Sequence, residues 1–175
     1  GGNENPENPN ENPEQPQPVE VFENGYLVVN VNKDNVLSVI QNTTKDTKLV
    51  LANDCYDILS DIRYGVADKD YNFILDLSNV TSMTEVPQYF FSMIPHNWDS
   101  IKGVILPNTI TKICKGAFED LKCITELTFN SNLISIEKIA FKGCVNLKTI
   151  KINSTNITID NSAFEGCSNV EEVYT

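Results

Sequence analysis

The chain predicts an α/β repeat solenoid, a short curved stack of 23-residue coils behind an amino-terminal strand-helix capping unit. Three observations predict it. The stretch IAFKGCVNL at 139–147 returns as SAFEGCSNV at 162–170 and is anticipated by GAFEDLKCI at 116–124. Ahead of each copy three apolar residues recur in the pattern LxxLxL, each set 23 residues on: Ile101, Val104 and Leu106; Ile124, Leu127 and Phe129; Leu147, Ile150 and Ile152. Before Ile101, strand-like and helix-like apolar patterns alternate. One such coil cannot bury its own apolar face, so like coils must stack, and the repetition is itself the core.

The chain has 175 residues, 41% of them hydrophobic, which suits one domain with a sizeable core. Its net charge of −11 is unevenly placed: residues 1–20 carry five acids and no base, 21–100 eleven acids against five bases, and 101–175 eight against eight. No lysine- or arginine-rich stripe is present, so the basic surface that a phosphate backbone requires is missing and nucleic acid is not expected as a partner.

Residues 1–20 open with GGNENPENPNENPEQPQP, which has nothing to bury and is expected to be a disordered, extended tether. The α/β cap is expected over 21–71. It begins with VFENGYLVVNV, a strand read from Tyr26, Val28 and Val31. Asp34 is expected to cap a short helix, NVLSVIQN, whose Val36, Val39 and Ile40 share a face, and KLVLAN at 48–53 is the next strand. Asp54 is expected to cap a second helix, CYDILSDIRYGVA, with Ile58, Ile62 and Val66 at helical spacing. NFILDLS then returns as a strand.

The repeats are expected over 72–175. Ile113, Ile136 and Ile159 mark a second apolar position. Ala117-Phe118, Ala140-Phe141 and Ala163-Phe164 mark a third, and Leu121, Cys144 and Cys167 a fourth. Leu75, Leu77, Val86 and Phe91 form a degenerate earlier copy, stretched to a 27-residue step by the insertion SMIPHNWDS, and VEEVYT closes the chain as a half copy. Phe141, with neighbours above and below, is the expected centre of the stack.

The phrase ILPNTITKICKGAFEDLKCITEL resembles the leucine-rich repeats of the BspA-like, or treponemal, type found in bacterial surface proteins, with the family wording of a strand, LP, then IxxxAFxxC carried over 101–175. It departs where Cys114, Glu137 and Asp160 stand for the usual glycine. Residues 34–80 more loosely resemble the cap that precedes such repeats in exported lipoproteins. The resemblance implies an α/β leucine-rich-repeat solenoid, an exported, cell-surface or extracellular location with a lipid anchor upstream of residue 1, and an adhesion-like role.

Chemistry is thinly represented. His96 is the one histidine; beside Trp98 and Asp99, and with Cys55 or Ser100, it would be the centre of a hydrolase if there were one. HExxH, GxSxG and P-loop patterns are missing, and no cofactor or metal is expected. Glu171-Glu172 and Asp68/Asp70 read as solvated charges. The five cysteines, Cys55, Cys114, Cys123, Cys144 and Cys167, lack CxxC spacing. Cys144 and Cys167 fill an apolar slot and are expected to be free thiols, on a splayed side where neighbouring coils lie too far apart for a bridge.

Function is then expected on the outward, concave strand face. One column runs Asp76, Ile105, Thr128, Lys151, Tyr174; its neighbour runs Gly103, Glu126, Thr149, Glu172; Lys102, Thr125, Lys148 and Glu171 flank them. Lys102, Ile105, Thr125, Glu126, Thr128, Lys148, Lys151, Glu172 and Tyr174 are the expected contact residues for a protein or glycan, in a non-enzymatic module that bears no transmembrane segment. A hydrolase on the His96 loop and a self-associating structural module are the competing readings. Glu171 and Glu172 would repel a second copy at the open carboxyl-terminal strand edge, so a monomer is expected.

Overall fold

The computed structural model describes residues 20–53, 56–67, 69–92 and 98–174. All but Glu20 of the tether expected over 1–20, the expected Asp54 cap, Cys55, Asp68 and His96 lie outside the described residues.

The chain enters as a hairpin, β1 (Phe22–Glu23) paired antiparallel to β2 (Tyr26–Val31), rather than as the single strand expected over VFENGYLVVNV. Asn24 and Gly25 both hold positive φ, 51° and 86°, the pair of left-handed residues that a tight two-residue hairpin turn demands. Val29 and Val31 pack on the core, so of the expected Tyr26, Val28 and Val31 only Val31 faces it, and Tyr26 and Val28 lie on the opposite face. Helix α1 (Val36–Asn42) buries Val36 and Ile40. Asp34 does not cap it: the side-chain oxygen of Asn32 accepts the N–H groups of Asp34 (2.9 Å) and Asn35 (3.2 Å), and that of Asn35 accepts the N–H of Asn32 (2.8 Å). Two asparagines therefore make the turn, as their short amides allow.

Strand β3 (Thr47–Leu51) follows, then a short 3-10 turn (Tyr56–Ile58), helix α2 (Leu59–Val66) and β4 (Phe73–Asp76). Ile58, Ile62 and Val66 are buried, as the helical spacing predicts. The remaining strands alternate between two layers. Strands β6 (Ile101–Ile105), β8 (Glu126–Phe129), β10 (Thr149–Ile152) and β12 (Glu172–Tyr174) carry the LxxLxL positions. The short strands β5 (Glu85–Val86), β7 (Lys112–Ile113), β9 (Ser135–Ile136) and β11 (Thr158–Ile159) carry the second apolar position.

Pairing is parallel throughout except in the hairpin. Strands β1-β2-β3-β4-β6 form one sheet, β8-β10-β12 a second and β5-β7-β9-β11 a third. Thr128 pairs with Lys151 and Thr149 with Glu172, and Lys112 with Ser135 and Ser135 with Thr158; each pair is 23 residues apart, the period of the sequence. Between the layers Phe91, Phe118, Phe141 and Phe164 stack with ring centroids 4.8, 4.9 and 5.0 Å apart in succession. Side-chain amides tie these turns to the ones before them: Asn146 Nδ2 donates to Lys122 O (2.7 Å) and, 23 residues on, Asn169 Nδ2 donates to Val145 O (2.6 Å).

Two departures from the expected core have one cause each. Ile159 is 37% exposed and Phe164 half-buried, because they belong to the last full repeat and only one side of them is covered by a neighbour. Val104 and Leu106 are half-buried although their equivalents Leu127 and Phe129 are buried, because no ladder joins β6 to β8.

Candidate functional site

The break between β6 and β8 places a cleft on the outward face of the strands. Outward residues alternate with core residues along each strand. The registers therefore bring Lys48, Ile74 and Gly103 into one row across β3, β4 and β6, with Glu126 of β8 beyond the break. Because the strands are not zipped together there, the half-buried Val104 and Leu106, together with Phe129, form an apolar floor. The cleft encloses about 460 Å³, within the ~300–1,000 Å³ common for ligand sites.

Five expected contact residues, Lys102, Ile105, Thr125, Glu126 and Thr128, line this cleft. Ile105 is 40% exposed and supplies an apolar patch at its edge. Lys102 Nζ is turned back to donate to the main-chain oxygen of Asp99. The other four lie beyond the cleft lining. Lys151, opposite Thr128 on β10, reaches back to Glu126 with an Nζ–Oε1 distance of 2.7 Å. Lys148 is exposed just before β10, and Glu172 and Tyr174 register with Thr149 and Lys151 from β12.

The wall opposite β8 comes from residues that sequence reasoning placed elsewhere: Glu23 and Asn24 at the hairpin turn, Tyr26, Lys48 and Ile74. The hairpin folds its turn over the strand face, which brings the Glu23 carboxylate 2.9 Å from Lys48 Nζ. Lys48 Nζ also lies 2.9 Å from the Asp76 carboxylate. Asp76, expected in the outward column, shares that face with Ile105 but is buried, 6% exposed, beneath this ion pair. The Asn24-Gly25 turn and the outward parity of Lys48 were the signals that could have located this wall.

Burial of Lys48 lowers its proton affinity, but hydrogen bonds and charge from Glu23 and Asp76 outweigh this and hold the ammonium above its ordinary range. Burial likewise pushes the Asp76 carboxyl up. Hydrogen bonds from Ser78, including its N–H at 2.9 Å, and the Lys48 ammonium more than reverse it, so Asp76 titrates below its ordinary value. Tyr26 is raised by burial and by the nearby Asp46 charge. The cleft thus offers a fixed ion pair, a phenol kept neutral, hydroxyls and an apolar floor: groups that hold a ligand by contact and hydrogen bonds.

Of the residues in the hydrolase reading, Ser100 donates its Oγ to Lys69 O (3.2 Å), while His96 and Cys55 lie outside the described residues. Among the described residues, no three His, Cys, Asp or Glu side chains are grouped so as to hold a metal, and no helix is long and apolar enough to cross a membrane.

The thiols correct one expectation. Cys114, Cys123, Cys144 and Cys167 are free in the structure. Cys144 and Cys167 are not splayed apart: Phe141 N–H donates to Ala163 O (2.7 Å) and Gly143 N–H to Glu165 O (2.9 Å), so the turns carrying them are joined by backbone hydrogen bonds.

A family model described as the BspA type leucine rich repeat region matches residues 84–175 in six copies. No curated protein and no solved structure matches the chain.

Proposed function

We propose, from the premise that the chain belongs to the BspA-type leucine-rich repeat family, that it is a non-enzymatic extracellular binding module, surface-anchored and adhesion-like. It engages a protein or glycan through its strand face. In this reading the paired strands are coils of a short curved solenoid, residues 21–71 cap it, and the cleft lies on the concave side.

The observation that supports this most is the cleft itself. It is open, apolar at its floor and rimmed by hydroxyl, amide and charged groups, and it draws on the hairpin, β6 and β8 at once. Such a mixture fits contact recognition, in which a few buried apolar groups are ringed by polar ones. A hydrolase would require a nucleophile, a base and a group to orient it converging on one point.

The test screens the full chain against immobilised extracellular-matrix proteins and a glycan array, alongside Thr128→Trp. Thr128 is exposed on β8 and lines the cleft, so a tryptophan there fills the cleft without touching the core. Ligands retained by the wild type should be lost or weakened at least tenfold in Thr128→Trp with an unchanged thermal midpoint. Equal retention by both would remove the cleft from the binding reading.

A further inference from the structure

The fourth apolar slot of the last two repeats holds two thiols one above the other. The turns that carry them are hydrogen-bonded on the near side through Phe141 to Ala163 and Gly143 to Glu165. A Cβ built on Gly166 would lie 3.5 Å from Gly143 N and 3.7 Å from Gly143 Cα, so the chains immediately before the two cysteines run side by side with room for no more than a methyl group between them. Cys144 and Cys167 each follow these glycines directly and occupy equivalent places. Their Sγ atoms donate to equivalent carbonyls one repeat back, Phe118 O at 3.1 Å and Phe141 O at 3.0 Å. Parallel chains so close place Cα atoms inside the ~4.4–6.8 Å window that a disulfide spans.

We propose that Cys144 and Cys167 are a modification site: under oxidising conditions they form a disulfide that staples the last two repeats together. The oxidant is a low-molecular-weight disulfide. Cys167 is half-buried whereas Cys144 is fully buried, so Cys167 meets it first. The Cys167 thiolate attacks one sulfur of the oxidant, whose S–S bond breaks to expel a thiolate and leave a mixed disulfide on Cys167. Cys144 then gives up its proton and attacks Cys167 Sγ, forming the cross-link and releasing the second half of the oxidant as a thiol. Two protein thiols lose two electrons and two protons in all, and the oxidant is reduced to two thiols.

The electrostatics favour this order. The S–H of Cys144 can turn to Cys167 and stabilise its thiolate, which lowers the Cys167 thiol, while the same contact and burial raise that of Cys144. Once Cys167 is a mixed disulfide its contact no longer raises Cys144, whereas Cys123, which burial pushes up to about 12, lies outside the slot the two share. The inference stands on this stacking alone and is independent of the binding reading.

The full chain is incubated with oxidised glutathione at pH 8, alkylated and digested with trypsin. The expected product has lost two hydrogens, its thiol count falls from five to three, and Gly143–Lys148 is joined to Ile152–Thr175. Cys123→Ser should cross-link as the wild type does. Cys144→Ser and Cys167→Ser, each checked for a native thermal transition, should not; either one folded is sufficient. A wild type that keeps all its thiols, stops at a glutathione adduct on Cys167, or links through Cys123 would overturn the proposal.

Discussion

Phe118 and Phe141, 23 residues apart, lie with ring centroids 4.9 Å apart and planes 14° from parallel. Phe141 meets Phe164 on its other side at 5.0 Å and 6°, and Phe129 of β8 at 5.7 Å. It is wholly buried, whereas Phe164, at the end of the row, is only partly so. Phe141→Ala is therefore expected to cost ~3–5 kcal/mol and Phe164→Ala distinctly less. Urea denaturation monitored by circular dichroism measures both; equal midpoints would contradict a row held together by stacking.

The glycines of the Ala-Phe turns should respond unequally as well. Gly143 and Gly166 both hold left-handed φ, 74° and 77°, so a side chain at either costs about 1–2 kcal/mol. A Cβ on Gly143 would in addition lie 2.2 Å from the Asp120 carboxylate oxygen, but one on Gly166 meets nothing closer than 3.5 Å. Gly143→Ala should lower the thermal midpoint more than Gly166→Ala, and the reverse order would show that Asp120 turns aside freely.

Lys48 and Asp76 set a pH dependence of stability. Asp76 titrates below its ordinary 3.8 in the folded chain, so it contributes stability above that pH and loses it as the pH falls through the folded value. Lys48 titrates above 10.5, so its contribution is complete below that pH and is lost as the pH rises through the folded value. Denaturation midpoints across pH 2–6 should fall more steeply for the wild type than for Asp76→Asn. Lys48→Met alone leaves the Asp76 carboxylate buried and unpaired and should cost about 3–5 kcal/mol, with the double variant costing less than the sum. Strict additivity would mean that the pair is not coupled.

The repeats were legible because their period is written in apolar residues, and stacking makes that period structural: the 23-residue step in sequence is the 23-residue step in strand register. Less legible was whatever depends on a neighbour. Gly116 and Ile139 occupy the same left-handed position in successive turns, at φ 61° and 49°, although a β-branched residue disfavours it. Hydrogen bonds from adjacent turns, such as Gly116 N–H to Lys138 O at 3.1 Å, hold the backbone there. The cleft escaped the sequence for a similar reason. Ile105, Glu126 and Thr128 could be placed on the outward face from alternation, but the missing ladder between β6 and β8 and the hairpin folded over Lys48 arise from register and tertiary contact. Asp76 is on the outward face as expected, but its burial depends on a lysine 28 positions earlier and a glutamate in the hairpin.

The most direct test of the proposed binding face compares charge reversals on the two sides of the repeats. Lys148→Glu with Lys151→Glu alters the strand face, and Lys138→Glu with Lys142→Glu alters the turns that carry Ala140-Phe141. Lys151 pairs with Glu126 at 2.7 Å and both are exposed, so the strand-face pair should hardly move the melting curve, by ~0–1 kcal/mol. Binding to ligands retained by the wild type is then followed by surface plasmon resonance at low and high salt. The strand-face variant should lose association rate, with a salt dependence unlike that of the wild type, while the turn-face variant should bind as the wild type does. Loss of binding in the turn-face variant, with the strand-face variant unaffected, would contradict the proposed binding face.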